Sequence, residues 1–191
     1  MANAAIDLRD IPLERQRRLR RSEYDQLVLL GVFNDERVEL LYGVVVKTSP
    51  IGAPHNEAVD ELNERLVLAL SGRARVRIQG SFAASDDSEP EPDVAIYPRG
   101  DYSKDHPDRA YLIIEVAESS LKDDRTVKAR LYAETGVPEY WIVNLIDHVV
   151  EVHRQPQGGK YASVTVARRG ESLAIEQFPD VVIPIESILK G

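Results

Sequence analysis

The sequence contains no cysteine among its 191 residues. Without cysteine the chain forms no disulfide and offers no thiolate to a metal, and this absence suits a reducing cytoplasm. It also has no apolar run near the about 18 residues that a membrane-spanning helix requires. The first ten residues lack the basic and then apolar order of a secretory signal. We therefore expect a cytoplasmic protein without membrane contact.

A surplus of positive charge is also lacking, because the formal net charge is −8. Residues 1–21 carry six Arg and three acidic residues, which leaves a charge of −11 on the other 170 residues. An acidic body disfavours nonspecific capture of nucleic acid, which depends on neutralised phosphates. The stretch RQRRLRR at residues 15–21 is either a local basic contact or a solvated helix face. We divide the chain into a basic N-terminal arm, residues 1–21, and a single domain, residues 22–191.

Several common catalytic motifs are missing as well. The chain has no GxxxxGK(S/T) loop to cradle a phosphate, no GxGxxG after a strand and no GxSxG turn for a serine nucleophile. Its four histidines do not follow the spacing of zinc ligands. These absences disfavour the nucleotide-binding, serine-hydrolase and zinc-dependent classes.

The spacing of apolar residues predicts a mixed fold. Helical periodicity and glycine stops predict helices over residues 23–31, 55–70 and 121–135, the first of them capped by Ser22. Aliphatic and β-branched runs predict strands over residues 37–47 with a hairpin at Tyr42-Gly43, 74–84, 93–97, 110–117, two within 140–154, and further extended segments beyond. This order predicts an α/β fold of the mixed-sheet α+β type, in which helices flank a central mixed sheet with additional β-hairpins.

Two carboxylates stand where strand-like runs are otherwise apolar. Asp93 opens the run in PEPDVAIY, residues 90–97, and Glu115 lies within YLIIEVAE, residues 111–118. A buried carboxylate is costly unless a partner or a metal compensates for the lost water. The connection is short enough for antiparallel neighbours, which would bring both acids to one site for Mg²⁺. Alternatively, Asp93 caps a turn and Glu115 pairs with a basic side chain.

The order of several short motifs resembles a putative restriction endonuclease family of the PD-(D/E)XK nuclease superfamily. They are VELLYG at residues 38–43, His55, PDVAI at 92–96, IEVAESS at 114–120, Asp124, Lys128, Tyr132 and GVPEYWIV at 136–143. Each piece alone is weak, but together they cover residues 22–153. The resemblance implies a restriction-endonuclease-like core.

The resemblance also implies roles for three residues. Asp93 and Glu115 would bind the metal, Mg²⁺ with Mn²⁺ as a possible substitute. In the superfamily a lysine usually follows the second acid by two residues, but Ala117 stands there in this chain. Lys128, on the following predicted helix, is the candidate catalytic replacement. Its alternative role is an ion pair with Asp124, four residues earlier, worth about 0.3 kcal/mol at a surface.

Three further residues are possible accessories at this site. Glu39 matches an early glutamate of the family that approaches the metal, and Asp124 belongs to the helix motif. His55 heads a predicted helix, where we expect it to cap or pack rather than to transfer protons. Tyr132 and Trp141 fit packing, and we expect the acidic residues 86–91 to form a solvated loop.

These observations together predict a metal-dependent endonuclease that hydrolyses DNA phosphodiester bonds. A small catalytic domain that cuts both strands would work as a homodimer. The alternative is a catalytically inactive module of the same fold that binds or regulates, which the net acidity and the missing strand lysine favour. RNA or another phosphate ester also remains open as the substrate.

Overall fold

The computed structural model describes residue 12, residues 15–48 and residues 51–190. Most of the predicted N-terminal arm, residues 1–11, 13 and 14, lies outside the described residues. The helical elements are α1 (Arg21–Leu29), α2 (Ala53–Ala69), α3 (Leu121–Asp123), a π-helical turn (Asp124–Lys128), α4 (Ala129–Glu134) and α5 (Ile185–Ile188). None of the helices in these ranges is long and apolar enough to cross a membrane.

Ten strands form three sheets within the described ranges. They are β1 (Val38–Leu41), β2 (Val44–Lys47), β3 (Arg75–Ile78), β4 (Val94–Tyr97), β5 (Leu112–Ala117), β6 (Glu139–Asn144), β7 (Val149–Gln157), β8 (Lys160–Ala167), β9 (Ser172–Ile175) and β10 (Phe178–Pro184). The main sheet runs β3-β4-β5-β6-β7-β8, while β1-β2 and β9-β10 are separate antiparallel pairs. Only β5 and β6 are parallel in the main sheet, so it is mixed, as predicted.

The parallel pair requires a crossover connection, which the segment from α3 through the π-helical turn to α4 supplies. Both faces of the main sheet are covered at its middle, where every residue of β4, β5 and β6 is buried. Leu62 and Leu66 of α2 pack on one face with Ile114 of β5. Tyr132 of α4 packs on the other face with Ile113. Because side chains alternate along a strand, Glu115 faces the same side of the sheet as Ile113.

The β1-β2 hairpin turns at Tyr42 and Gly43, which have φ of 50° and 77°. This turn confirms the predicted hairpin. Beyond the turn, β1 pairs with a remote segment, because Leu40 exchanges two backbone hydrogen bonds with Glu89, at 3.2 and 2.7 Å. The prediction that residues 86–91 form a solvated loop is therefore wrong: Ser88 and Glu89 are buried against the hairpin.

Two other boundaries differ from the sequence-based predictions. The strand predicted over residues 74–84 ends at Ile78, because Gln79 has a φ of 46° that breaks the extended conformation. Ser22 does not cap α1, which begins one residue earlier; the Glu23 carboxylate instead accepts a hydrogen bond from Arg20 N at 2.9 Å. This contact satisfies the N–H group of Arg20, the N-cap residue, as the glutamate of a capping box does.

Leu62→Ala tests the packing of α2 on the main sheet. Leu62 is fully buried, so we expect the substitution to lower the free energy of unfolding by about 2–5 kcal/mol. Leu68 lies on the same helix but is 73% exposed, so Leu68→Ala should change it by no more than about 0.5 kcal/mol. Urea denaturation of both variants measures the difference, and equal effects would contradict this packing.

Candidate active site

A cavity of about 420 Å³ opens where the β1-β2 hairpin, α2, β5 and the π-helical turn meet. All six site residues singled out in the sequence line this cavity: Glu39, His55, Asp93, Glu115, Asp124 and Lys128. They come from five separate segments of the chain, and each of the five acidic or histidine side chains is buried. The fold therefore gathers them at one place.

Asp93 and Glu115 lie on neighbouring strands. Asp93 directly precedes β4, and Val94 is paired with Ile114 in the antiparallel register, which places Asp93 opposite Glu115. Asp93 Oδ2 accepts a hydrogen bond from Val116 N at 2.8 Å and lies 3.0 Å from His55 Nε2. The suggestion that Asp93 caps a turn therefore does not describe its contacts, since it bridges α2 and β5.

His55 lies in the first turn of α2, but it does not cap that helix. The N-cap is Gly52, and no side chain caps it. The expectation that His55 caps this helix is therefore wrong, but it is buried, as packing predicts, and its ring contacts Asp93 at the cavity. A histidine in this position holds the carboxylate orientation through its ring N–H.

Lys128 projects from the end of the π-helical turn toward the sheet. Its Nζ lies 3.0 Å from Glu115 Oε1, 3.4 Å from Glu39 Oε2 and 4.0 Å from Asp124 Oδ1. The pair with Asp124, which helical spacing alone suggests, is thus the longest of the three. Only 11% of the Lys128 side chain is exposed, so solvent screens these pairs less than surface ion pairs.

Tyr132 contributes a contact that the sequence analysis missed. Its hydroxyl donates a hydrogen bond of 2.8 Å to Glu115 Oε1, the oxygen that also faces Lys128. The signal was present in the spacing, because Asp124, Lys128 and Tyr132 follow one another at intervals of four residues on one helical face. Tyr132 also packs in the core, as predicted, and Trp141 is fully buried in the core on the opposite face of the main sheet.

The position two residues after Glu115 explains why the lysine arrives from the helix. Ala117 is fully buried on the same face of β5 as Ile113 and packs in the core beneath α4. A lysine there would have to displace this core. The π-helical turn, whose wider winding occurs often at functional sites, directs Lys128 to the carboxylate instead.

The cavity is strongly electronegative. Burial raises the pKa of Glu115 well above its ordinary value; Lys128 opposes this shift, while Asp124, Asp93 and Glu39 add to it. Burial likewise raises the pKa of Asp124 to about 6. For Lys128, burial by itself would lower the pKa, but Glu115, Glu39 and Asp124 outweigh it and raise the pKa above the ordinary value.

The donor atoms of this cavity fit a hard divalent cation. Asp93 Oδ2 and Glu115 Oε1 are held by the hydrogen bonds described above, and each carboxylate has a second oxygen for a ligand. Asp124 Oδ1 is buried and has no hydrogen-bond donor among the described residues. Those residues contain no ready-made cluster of three metal-binding side chains. Mg²⁺ suits such a site because it commonly takes one or two carboxylates and keeps several waters.

Comparison with known proteins identifies the sequence family and the fold. Residues 21–186 match the family model described as "Putative restriction endonuclease", Uma2. A crystal structure of a putative nuclease belonging to DUF820 from Anabaena variabilis aligns with a TM-score of 0.63 at 16% identity, over 79% of this chain and 88% of that one. At this identity the likeness shows a shared fold alone, which agrees with the predicted fold class.

A second solved structure is that of the type IIG restriction endonuclease BpuSI. It aligns with a TM-score of 0.38 at 16% identity, over 60% of this chain and 14% of that one. This alignment is too weak to carry an argument. No curated protein matches the chain.

Lys128→Met tests the charge balance of the site. In metal-free buffer at about pH 8, removal of the ammonium should lower the free energy of unfolding by about 3–5 kcal/mol, because buried carboxylates lose their cation. Because the pKa values of Glu115 and Asp124 are raised, the folded protein takes up protons at a higher pH than the unfolded chain does as the pH falls. Protonation then relieves the repulsion, so the loss should be smaller at about pH 5.

The control for this experiment is Lys122→Met, since Lys122 is exposed on the neighbouring helix α3. It should change stability by no more than about 0.5 kcal/mol at either pH. Thermal melting of both variants across this pH range provides the measurement. A pH-independent loss in Lys128→Met would mean that lost packing, rather than charge, explains the effect.

Proposed function

Because the chain belongs to the putative restriction endonuclease family, we propose that it is a metal-dependent endonuclease that hydrolyses phosphodiester bonds of DNA. The observation that carries this proposal is the approach of Lys128 Nζ to within 3.0 Å of Glu115 Oε1. It brings an ammonium group to a carboxylate that lies opposite Asp93 across two paired strands. Two acids and a cation beside one open cavity are the groups that phosphodiester hydrolysis needs.

Asp93 and Glu115 would hold the metal, Mg²⁺ or in its place Mn²⁺. When bound, such an ion lowers the pKa of a water ligand and neutralises charge on the scissile phosphate. The protein side chains prepare this site in advance. Val116 N and His55 hold Asp93 through Oδ2, while Tyr132 and Lys128 hold Glu115 through Oε1. Each carboxylate is thereby fixed in one orientation, with its second oxygen free to bind the ion.

Lys128 would orient the attacking water and stabilise the negative charge that develops on the phosphate. Its ammonium group is confined by Glu115 and Glu39, at 3.0 and 3.4 Å, so it is already in place before substrate binds. Such preorganised charge stabilises a transition state without a further reorganisation cost. Lys128 thus has the proposed role of the lysine that usually lies two residues after the second acid, where this chain has Ala117. This argues for an active enzyme over an inactive module.

DNA would reach the cavity along the β1-β2 hairpin. Arg37 and Lys47 line the cavity at its hairpin side and are exposed, so they can contact phosphates on either side of the bond that is cut. Positive charge at this edge offsets the acidic body of the protein. We include a homodimer in this proposal, since one cavity of this size acts on one strand at a time.

A cleavage assay tests the proposed reaction. Wild-type protein should nick or linearise supercoiled plasmid when Mg²⁺ is present and should do neither in EDTA. Asp93→Asn and Lys128→Met should each reduce the rate by about 10²–10³-fold, because each removes charge next to the scissile phosphate. Lys122→Met serves as the matched control and should retain the wild-type rate. Wild-type protein that binds DNA without metal-dependent cleavage would instead establish the inactive binding module.

Metal binding is testable without any reaction. Mg²⁺ at a hundredfold excess over its dissociation constant should stabilise the folded protein by about 2.7 kcal/mol. Asp93→Asn should abolish most of this gain, whereas Asp60→Asn, an exposed change on α2, should preserve it. Melting curves with and without Mg²⁺ measure both effects. An equal gain in Asp93→Asn would place the cation elsewhere.

A further inference from the structure

The arginine segment, residues 15–21, carries five arginines in the sequence RQRRLRR. The sequence left open whether it is a local basic contact or a solvated helix face. Residues 16–20 are not helical, and α1 begins only at Arg21. These five residues therefore do not form a helix face, and the proposed reaction gives them no role.

The arginine segment is fastened to the body of the protein. Leu19 N donates a hydrogen bond to Gly43 O at 2.9 Å, and Arg21 N donates one to Asp86 O at 2.7 Å. The Leu19 side chain packs against the small core around Tyr24. The backbone of the segment thus has a fixed course across the tip of the β1-β2 hairpin.

Arg18 brings the segment to the wall of the candidate active site. Its Nη1 donates a hydrogen bond of 2.7 Å to the carbonyl oxygen of Tyr42, which lines the cavity. The approach is so close that a Cβ atom at Gly43 would collide with the Cβ of Arg18. Tyr42 follows Glu39 of the cavity by three residues, so their Cα atoms are at most about 11 Å apart. About three nucleotides of B-DNA cover that distance, at about 3.4 Å each along one strand.

Most of the positive charge of the segment is exposed and lacks an internal partner. Arg15, Arg17, Arg18 and Arg20 are exposed, and Arg17 pairs with Glu23. The other three form no ion pair with any described residue. Because side chains alternate along an extended chain and Leu19 packs inward, its two neighbours point outward. The remainder of the chain, residues 22–191, carries a charge of −11, so carboxylates are not scarce. Unpaired guanidinium groups held this close repel one another, and an external anion would relieve the repulsion.

We propose that the arginine segment binds the phosphate backbone of DNA beside the candidate active site. A guanidinium group matches the geometry of a phosphate, to which it can donate two parallel hydrogen bonds. Contacts to phosphates supply affinity and position but carry no sequence information. The proposal rests on the proposed function, since it names the surface that holds the substrate next to the cavity.

An anionic membrane is the other surface that such a segment could fit, because Leu29 and Leu30 are exposed near the end of α1. These leucines lie about 12 Å along α1 from Arg21. The segment, in contrast, contacts Tyr42 of the cavity wall directly. This contact favours DNA as the partner.

The salt dependence of DNA binding tests the proposal. Fluorescence anisotropy measures the affinity of the full chain for a labelled duplex of about 20 base pairs, in EDTA, from about 50 to 200 mM NaCl. Each lost phosphate contact lowers the slope of log K against log salt by about 0.9. The double variant Arg15→Gln/Arg20→Gln should therefore lower the slope by about 1.8 and weaken binding about tenfold or more at about 100 mM NaCl.

The matched control is Arg99→Gln/Arg109→Gln, which removes the same charge from two exposed arginines. Arg99 follows β4, whereas Asp93 precedes it, so this control lies toward the opposite end of that strand from the candidate site. It should keep the wild-type slope and an affinity within about twofold. An equal loss in the control would assign the effect to net charge and overturn the proposal.

Two further results would overturn the proposal. One is the absence of duplex binding by wild-type protein at millimolar concentration in the lowest salt. The other is an unchanged slope in Arg15→Gln/Arg20→Gln, with its fold verified by thermal melting. If that variant instead loses cosedimentation with phosphatidylserine vesicles, the partner is a membrane.

The binding assay requires neither metal nor cleavage, so it is independent of the proposed reaction. A lowered slope in the double variant, without plasmid cleavage by wild-type protein, would refute only the reaction. Plasmid cleavage by wild-type protein, with an unchanged slope in the double variant, would refute only the role of the arginine segment.

Discussion

The candidate active site depends on the buried contact between Lys128 and Glu115. Glu115 sits in β5, whose six residues are all buried, and an ionised carboxylate there needs a compensating charge. Lys128 supplies that charge from the crossover helix, and Tyr132 completes the contacts of the same oxygen. The pair therefore joins the helix to the sheet at the point where the candidate active site opens. Stability and the proposed catalysis depend on the same three side chains.

The distribution of charged side chains around this ion pair determines which ions the cavity can bind. Glu39, Asp93 and Asp124 bring more negative charge to the cavity than Lys128 neutralises; burial, to which Asp93 and Glu39 add, raises the pKa of Asp124. A divalent cation would remove that imbalance. Arg37 and Lys47 are exposed on the hairpin side, where Lys47 Nζ lies 2.6 Å from Glu36 Oε2. The cavity is thus negative at its base, while its exposed rim carries both signs, with Arg37 and Lys47 on the hairpin side and Glu118 and Asp123 on the other. In the proposed function, the metal would lie at the base and the phosphates would contact the hairpin side.

Much of this architecture was readable from the sequence, but not all of it. The apolar runs around Asp93 and Glu115 predicted adjacent antiparallel strands, because a short connection leaves few other arrangements. The contact of Lys128 with Glu115 was harder to predict, because it depends on a π-helical turn that no residue pattern specifies. The burial of Glu89 was mispredicted because its partner Leu40 is remote in the chain. Local sequence patterns predict which face of a strand or helix is buried and where the chain turns. They do not predict which distant segment will bury a given carboxylate.

The parallel pairing of β5 with β6 also has a kinetic consequence. These strands cannot pair until the whole crossover has folded back over the sheet, and closing such a loop costs chain entropy before any contact repays it. The crossover carries Asp124, Lys128 and Tyr132, so the central pairing and the assembly of the cavity belong to one cooperative event. A nascent or partly unfolded chain has the acids of the sheet but no ammonium beside them. The proposed hydrolytic activity would therefore arise only with the finished fold.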